Sequence, residues 1–223
     1  VNTFYMYTGS VAILPCSVQT YVFDDINTTQ IFKTVAFSNA RFDEIGWFYC
    51  SSSSIEIDRY VCYDYTDNVW TYGNLSRTAW LDQGIESYPR ATSSNYLYQH
   101  EFGYNDDGSP MTNVFIESSD FDIGDGESYA FVSKIIPDLN FLNNSDAGKI
   151  NIVLKTRDYP GDSLVTKTTS AVGSTTQKAD VRTRSRQVVL RFESDDDASS
   201  NGNDDVGWRL GTTRLEIRPD GKR

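Results

Sequence analysis

Histidine is almost missing from this 223-residue chain, since only His100 occurs. A Ser or Cys nucleophile assisted by histidine would have to use that ring. His100 lies in Tyr96-Leu97-Tyr98-Gln99-His100-Glu101, which alternates apolar and polar residues as a strand does, and a structural or interface role follows. Cysteine is scarce too. One His and three scattered Cys show none of the close paired spacing of zinc sites, and no metal or cofactor is expected. Three thiols are too few for a disulfide framework, and their odd number suits a reduced compartment. Cys50 and Cys62 flank a hairpin and could meet across it, or simply serve as two small core residues. No apolar run approaches the roughly 20 residues of a membrane helix, so no insertion of this chain into a membrane is expected. Basic residues are outnumbered, 20 against 31 acidic ones. The formal charge of -11 repels nucleic-acid phosphate and anionic lipid, which excludes tight non-specific DNA binding.

Aromatic residues are abundant instead, with fourteen Tyr, twelve Phe and four Trp set among many Thr, Val and Ile. That composition suits pleated surfaces and predicts an all-β chain. One helix is expected over residues 27–39: Asn27 can cap, Gln30 follows three residues on, and Ile31, Phe32, Val35 and Ala36 share a face. Residues 45–50, 58–65 and 69–73 read as an antiparallel meander, with a turn at Thr66-Asp67-Asn68. Short runs at 77–81 and 95–101 continue the spacing expected of propeller blades or a barrel. Trp47, Trp70 and Trp80 recur along these strands. Large rings near strand ends can pack one blade against the next, and a plain sandwich core predicts the same residues. The chain opens at Val1 within an apparent β pattern and without an initiator Met, so a preceding portion is expected.

Asn105-Asp106-Asp107-Gly108-Ser109-Pro110 is a cluster of turn formers that places a domain boundary between 1–108 and 109–223. Strands are expected beyond it at 113–117, 128–137, 149–157, 163–169, 183–193 and 208–218, a number that suits a β-sandwich. Five Asp in residues 194–205 predict a solvated loop. Asp120, Asp122 and Asp125 resemble a calcium loop only superficially, because Gly stands where a ligand belongs. Carboxylates are numerous, yet no spacing nominates a glycosidase pair. Arg182, Arg184 and Arg186 alternate with Thr183 and Ser185. On an extended strand they would line one face at spacings of about 7 Å, meeting acidic groups of the same or a neighbouring subunit, or passing DNA phosphate. In so acidic a chain the ion-pair reading is favoured.

Several runs together resemble the tail tubular or nozzle proteins of short-tailed bacteriophages, related to packaged-DNA stabilisation hubs. In the first half these are Tyr21-Val22-Phe23-Asp24-Asp25-Ile26-Asn27, Trp47-Phe48-Tyr49 with Asp58-Arg59-Tyr60-Val61, and Arg77-Thr78-Ala79-Trp80. In the second they are Tyr96 to Glu101, Asp122-Ile123-Gly124-Asp125-Gly126, Arg182 to Gln187, and Trp208-Arg209-Leu210-Gly211 through Arg218-Pro219-Asp220-Gly221. The resemblance implies a partial β-propeller over 1–108 followed by a β-sandwich over 109–223. It implies a non-enzymatic virion protein, assembled in the host cytoplasm. Its partners would be copies of itself in a six-membered ring, the portal, adaptor and other tail proteins, and genomic DNA in transient contact during ejection. Acidity fits a conduit whose wall must not bind its cargo. Two alternatives remain. A carbohydrate- or receptor-binding β-protein would expose aromatics for sugar stacking, and a propeller glycosidase would converge carboxylates in a cleft.

Overall fold

Runs rich in aromatic and β-branched residues become strands in both halves of the chain. Strands make up 52% of the structure beside two short helical segments, so the class is all-β. The computed structural model describes residues 2–111, 114–124, 126–142, 149–194 and 206–222. It divides into two units, Val1–Phe102 and Gly103–Arg223.

In the first unit β1 (Phe4–Tyr7) and β2 (Val11–Leu14) form a hairpin, followed by α1 (Gln19–Asp25). Then β3 (Val35–Asn39), β4 (Glu44–Tyr49), β5 (Arg59–Asp64) and β6 (Val69–Asn74) pair antiparallel in chain order. A second meander joins β7 (Ala79–Leu81), β8 (Arg90–Ser93) and β9 (Tyr96–Gln99). The turn at 66–68 forms as its residues dictate: Asp64 Oδ1 accepts from the Thr66 and Asp67 amides, and Asn68 takes a φ of 58°.

Both faces of the four-stranded sheet are buried, which explains why β4 is apolar almost throughout and does not alternate. Successive side chains point to opposite faces. Tyr49, Val61, Tyr63 and Trp70 share one face with Leu14 and Val22, and Phe4 and Trp47 pack against them. Phe48, Cys50 and Ile57 lie on the other with Phe37, Tyr60 and Trp80. The Phe37 ring stacks on Phe48 at 4.3 Å and covers its cross-strand partner Gly46. A Cβ on Gly46 would lie 2.2 Å from Phe37 Cζ, so the ring's seat depends on glycine.

The helix expected over 27–39 is corrected by the structure. Asn27 does cap, its Oδ1 accepting from the Thr29 amide at 3.0 Å, but the turn it starts is a 3-10 segment, Thr28–Lys33, interrupted at Gln30. Residues 35–39 are strand β3. Pairing with β4 and stacking of Phe37 outweigh a helix whose apolar face would gain little, since Ile31 and Phe32 remain 57% and 75% exposed. The true α-helix, α1, precedes it.

In the second unit β10 (Asn105–Asp106) and β11 (Ser109–Pro110) form a small hairpin at the turn-forming cluster. The strands β12 (Phe115–Glu117), β13 (Ala130–Ile136), β14 (Leu139–Phe141), β15 (Lys149–Arg157) and β16 (Val165–Gly173) follow. After them come β17 (Ala179–Ser185), β18 (Gln187–Ser194), β19 (Trp208–Leu210) and β20 (Arg214–Pro219). One sheet has the order β12-β18-β15-β16, another β17-β13-β20, and β14 pairs with β19. A single core draws on both larger sheets: Val132, Ile135 and Val181 meet Ile150, Ile152, Leu154, Val188 and Phe192. The acidic loop lies, apart from Ser194 at the end of β18, outside the described residues, as does Asp125.

Two expected strands prove to be pairs. The run 183–193 breaks at Arg186, where the chain leaves β17 in one sheet and enters β18 in the other. The run 208–218 breaks at Gly211, whose amide donates to the Asp138 carbonyl at 2.7 Å. A Cβ there would approach Asp138 Oδ2 to 2.4 Å.

Candidate functional site

Strand β17 alternates strictly, with Ala179, Val181, Thr183 and Ser185 buried and Arg182 and Arg184 exposed. Arg182 and Arg184 therefore share a strand face, and Arg186 follows directly after the strand's last residue, Ser185.

The neighbours of these arginines come from β13 and β20. Arg184 and Arg218 flank Phe131 in register, and Arg218 stands over its ring at 4.7 Å. Arg184 Nε donates to Asp220 Oδ2 at 2.6 Å, and its guanidinium lies 4.0 Å from the Tyr129 ring centre. Arg186 sits over Tyr129 and Tyr159, at 5.2 and 5.4 Å. Arg182 forms no ion pair or ring contact with any described residue. Exposed pairs of this kind contribute about 0–1 kcal/mol each. Tyr129, Phe131, Arg218 and Asp220 were missed as partners because pairing between strands distant in sequence brings them together.

The other sheet of this unit carries a second charged row. Glu117 on β12 accepts from Lys155 at 2.5 Å and Arg191 at 3.3 Å. Burial works to raise its pKa, yet the two cations prevail and hold it below the usual carboxylate value. Arg191 also lies 3.6 Å from the Phe115 ring centre. Asp120, from the calcium-like run, is bound by Arg157 and its carboxyl is lowered by that hydrogen bond. Among the described residues no group of three His, Cys, Asp or Glu is placed to hold a metal ion.

The three tryptophans of the first unit separate into two places. Trp47 and Trp70 stack at 6.3 Å beneath the hairpin, with Phe4 5.0 and 4.6 Å away, and Trp70 Nε1 donates to the Pro15 carbonyl. Trp80 lies on the opposite face of the four-stranded sheet, between β7 and the pair Phe37 and Phe48, with Nε1 donating to the Ser38 carbonyl. His100 stacks on Trp80 at 4.8 Å, and its Nε2 accepts from Arg77 Nε at 2.8 Å. Cys50 and Cys62 are free thiols, the latter pushed up to about 12 by burial and by Glu44.

Carboxylates do converge at one point that no spacing revealed. Buried Asn39 donates through Nδ2 to Glu44 Oε2 at 3.2 Å and Glu101 Oε1 at 3.1 Å. Burial raises the pKa of both acids, and Glu101 raises that of Glu44 further. Glu101 holds a left-handed φ of 58°.

One hairpin face is also exposed without charge. Tyr5 opposes Ile13 and Tyr7 opposes Val11, so the four share one face, and they are 56%, 64%, 74% and 69% exposed. Neither strand has a second neighbour among the described residues. The first charged residue in the chain is Asp24.

No protein-family model matches the sequence, and no curated protein matches it.

Proposed function

We propose that this chain is a structural subunit of a bacteriophage tail, a non-enzymatic nozzle or hub protein that works in a ring, of six copies by resemblance, through which DNA leaves. The observation that carries an assembly role is the β1–β2 hairpin. It presents four large apolar side chains and two open strand edges, with none of the charges that usually blunt an exposed edge. A neighbouring copy is the occupant that suits it: two chains of charge -11 repel wherever acids face each other, and an uncharged strand pair is where they can approach.

The finer fold belongs to the same reading. The β3–β6 and β7–β9 meanders are taken as blades of a propeller, and the two core-sharing sheets of the second unit as a sandwich. In a ring each copy meets its neighbour through two different surfaces. The arginine face supplies the second, with Arg182 as its outward cation.

Symmetry of the native assembly tests this. Electron microscopy is expected to show a closed ring with an axial channel, and a three-fold spike or a monomer at working concentration overturns the proposal. Within it, Arg182→Glu should weaken ring formation at least tenfold, measured by sedimentation, while leaving the thermal transition unchanged. Arg184→Ala should weaken assembly more than DNA ejection; intact rings with failed ejection would reassign that residue to DNA.

A further inference from the structure

Charges without an opposite partner gather on two surfaces of this chain, and the two surfaces differ in sign. The first is the outer face of the β17-β13-β20 sheet. Leu215 and Ile217 on β20 pack on the core, so Arg214 and Arg218 point outward, as Arg182 and Arg184 do on β17. Phe131 lies in register between Arg184 and Arg218, and Ile136, 42% exposed, opposes Arg214. The acids of this face are already matched: Glu216 pairs with Lys134, Asp180 with Lys178 and Asp220 with Arg184. Arg182, Arg186, Arg214 and Arg218 have no ion-pair partner among the described residues.

The second surface is the end of the β3–β6 sheet where the β3–β4 and β5–β6 turns lie. Asp43, Glu44, Asp64 and Asp67 stand on those turns and on the strand ends beside them. Asn39 brings Glu101 to the same end, and the Ser38 hydroxyl and Ala40 amide bring Asp82. Elsewhere in this unit Lys33 bonds Glu56, Arg59 bonds Asp25 and Asp58, and Arg90 bonds Glu86. None of the six carboxylates at the turns has an ion-pair partner among the described residues. Their fields add. Beyond its burial, Glu44 is raised by Glu101 and Asp64, while the Tyr65 phenol is raised by its hydrogen bond to Asp43, by desolvation, and by the charges of Asp43, Asp64 and Asp82. Arg41 offsets part of this at Glu101.

The apolar hairpin borders the acidic end. Phe4 of β1 packs on Trp70 at 4.6 Å, and Trp70 pairs across the strands with Tyr63, the residue before Asp64. One region of the first unit thus offers uncharged side chains beside surplus acid, and one sheet face of the second offers Phe131 and Ile136 among surplus arginines.

We propose that the arginine face of one copy docks on the acidic end of the first unit of the next copy, beside the hairpin. This deepens the ring reading and rests on it. Two different surfaces that fit each other give a head-to-tail contact, the kind that repeats around a ring. Complementary charge sets the orientation and speeds encounter, and the hairpin adds apolar area. DNA phosphate is the other polyanion such a face could meet, but Asp180, Glu216 and Asp220 stand among the arginines and the chain's charge of -11 repels it.

Sedimentation of the full chain tests the pairing by reversing one charge on each surface. Arg182 and Asp67 are exposed, so Arg182→Glu and Asp67→Arg should leave the thermal transition unchanged. Each should weaken association between copies about tenfold or more, and a chain carrying both should regain most of the loss, because acid and base face each other again. Added salt should weaken the parent's association too. An Asp67→Arg chain that associates like the parent overturns the pairing, and so does a double variant with no recovery. Binding of a labelled DNA duplex by the parent, lost in Arg182→Glu, assigns the face to DNA and overturns it as well. A monomeric parent removes the ring reading together with this contact, whereas a parent ring indifferent to both reversals removes this contact alone.

Discussion

Glu101→Gln should stabilise the first unit at neutral pH, and the reasoning can be followed from Asn39. One buried amide faces two carboxylates, burial raises both, and the charge of Glu101 raises Glu44 further. The charged groups around them are Asp64, which raises Glu44 further, and Arg41, which offsets part of the rise at Glu101. A carboxyl with a raised folded pKa binds its proton more tightly in the folded state than in the unfolded chain. Its stabilisation is therefore complete below the usual carboxylate pKa and lost as pH rises through the raised value. Glutamine keeps an oxygen for the Asn39 amide and removes one of the two charges. Because Glu101 is only partly withdrawn from water, solvent screening limits the gain to about 0.5–1 kcal/mol. Urea unfolding followed by tryptophan fluorescence, from neutral pH down to about pH 4.5, measures the difference between variant and parent. That difference should be largest near neutrality and shrink as Glu101 protonates, while titrations common to both proteins cancel. A variant less stable than the parent at neutral pH, or a difference independent of pH, would show that Arg41 makes the Glu101 charge favourable and would refute the argument.

Two further substitutions probe the packing and the opposite linkage sign. Gly46→Ala must displace the Phe37 ring from its seat on Phe48, and a loss of about 1–3 kcal/mol is expected in thermal unfolding. Glu117→Gln should cost about 1–2 kcal/mol at neutral pH, since it removes the charge that strengthens the bonds from Lys155 and Arg191. Glu117 has a lowered pKa, so its contribution is present above the usual carboxylate pKa and lost as pH falls through the lowered one; the two proteins should converge in acid.

The amino-acid order alone determines the all-β class, the β4–β6 meander with its Thr66-Asp67-Asn68 turn, and the span of β15 at 149–157, because period-two patterning and turn chemistry are local. A local signal for the Arg186 break was present too. Inward residues are odd-numbered through Val181, Thr183 and Ser185, then even-numbered through Val188, Leu190 and Phe192, and such a change of phase requires a corner. The segment at 27–39 was decided by tertiary structure, where pairing of Val35–Asn39 with β4 overrode a real Asn27 cap. Tertiary structure also decided every cluster that could carry function. Asn39 meets Glu101 across 62 residues, Arg184 meets Asp220 across 36, and Asp25 meets Arg59 only because α1 packs on the sheet. Sequence spacing carries no trace of such meetings, since each depends on strand register and on which face of a sheet a side chain occupies.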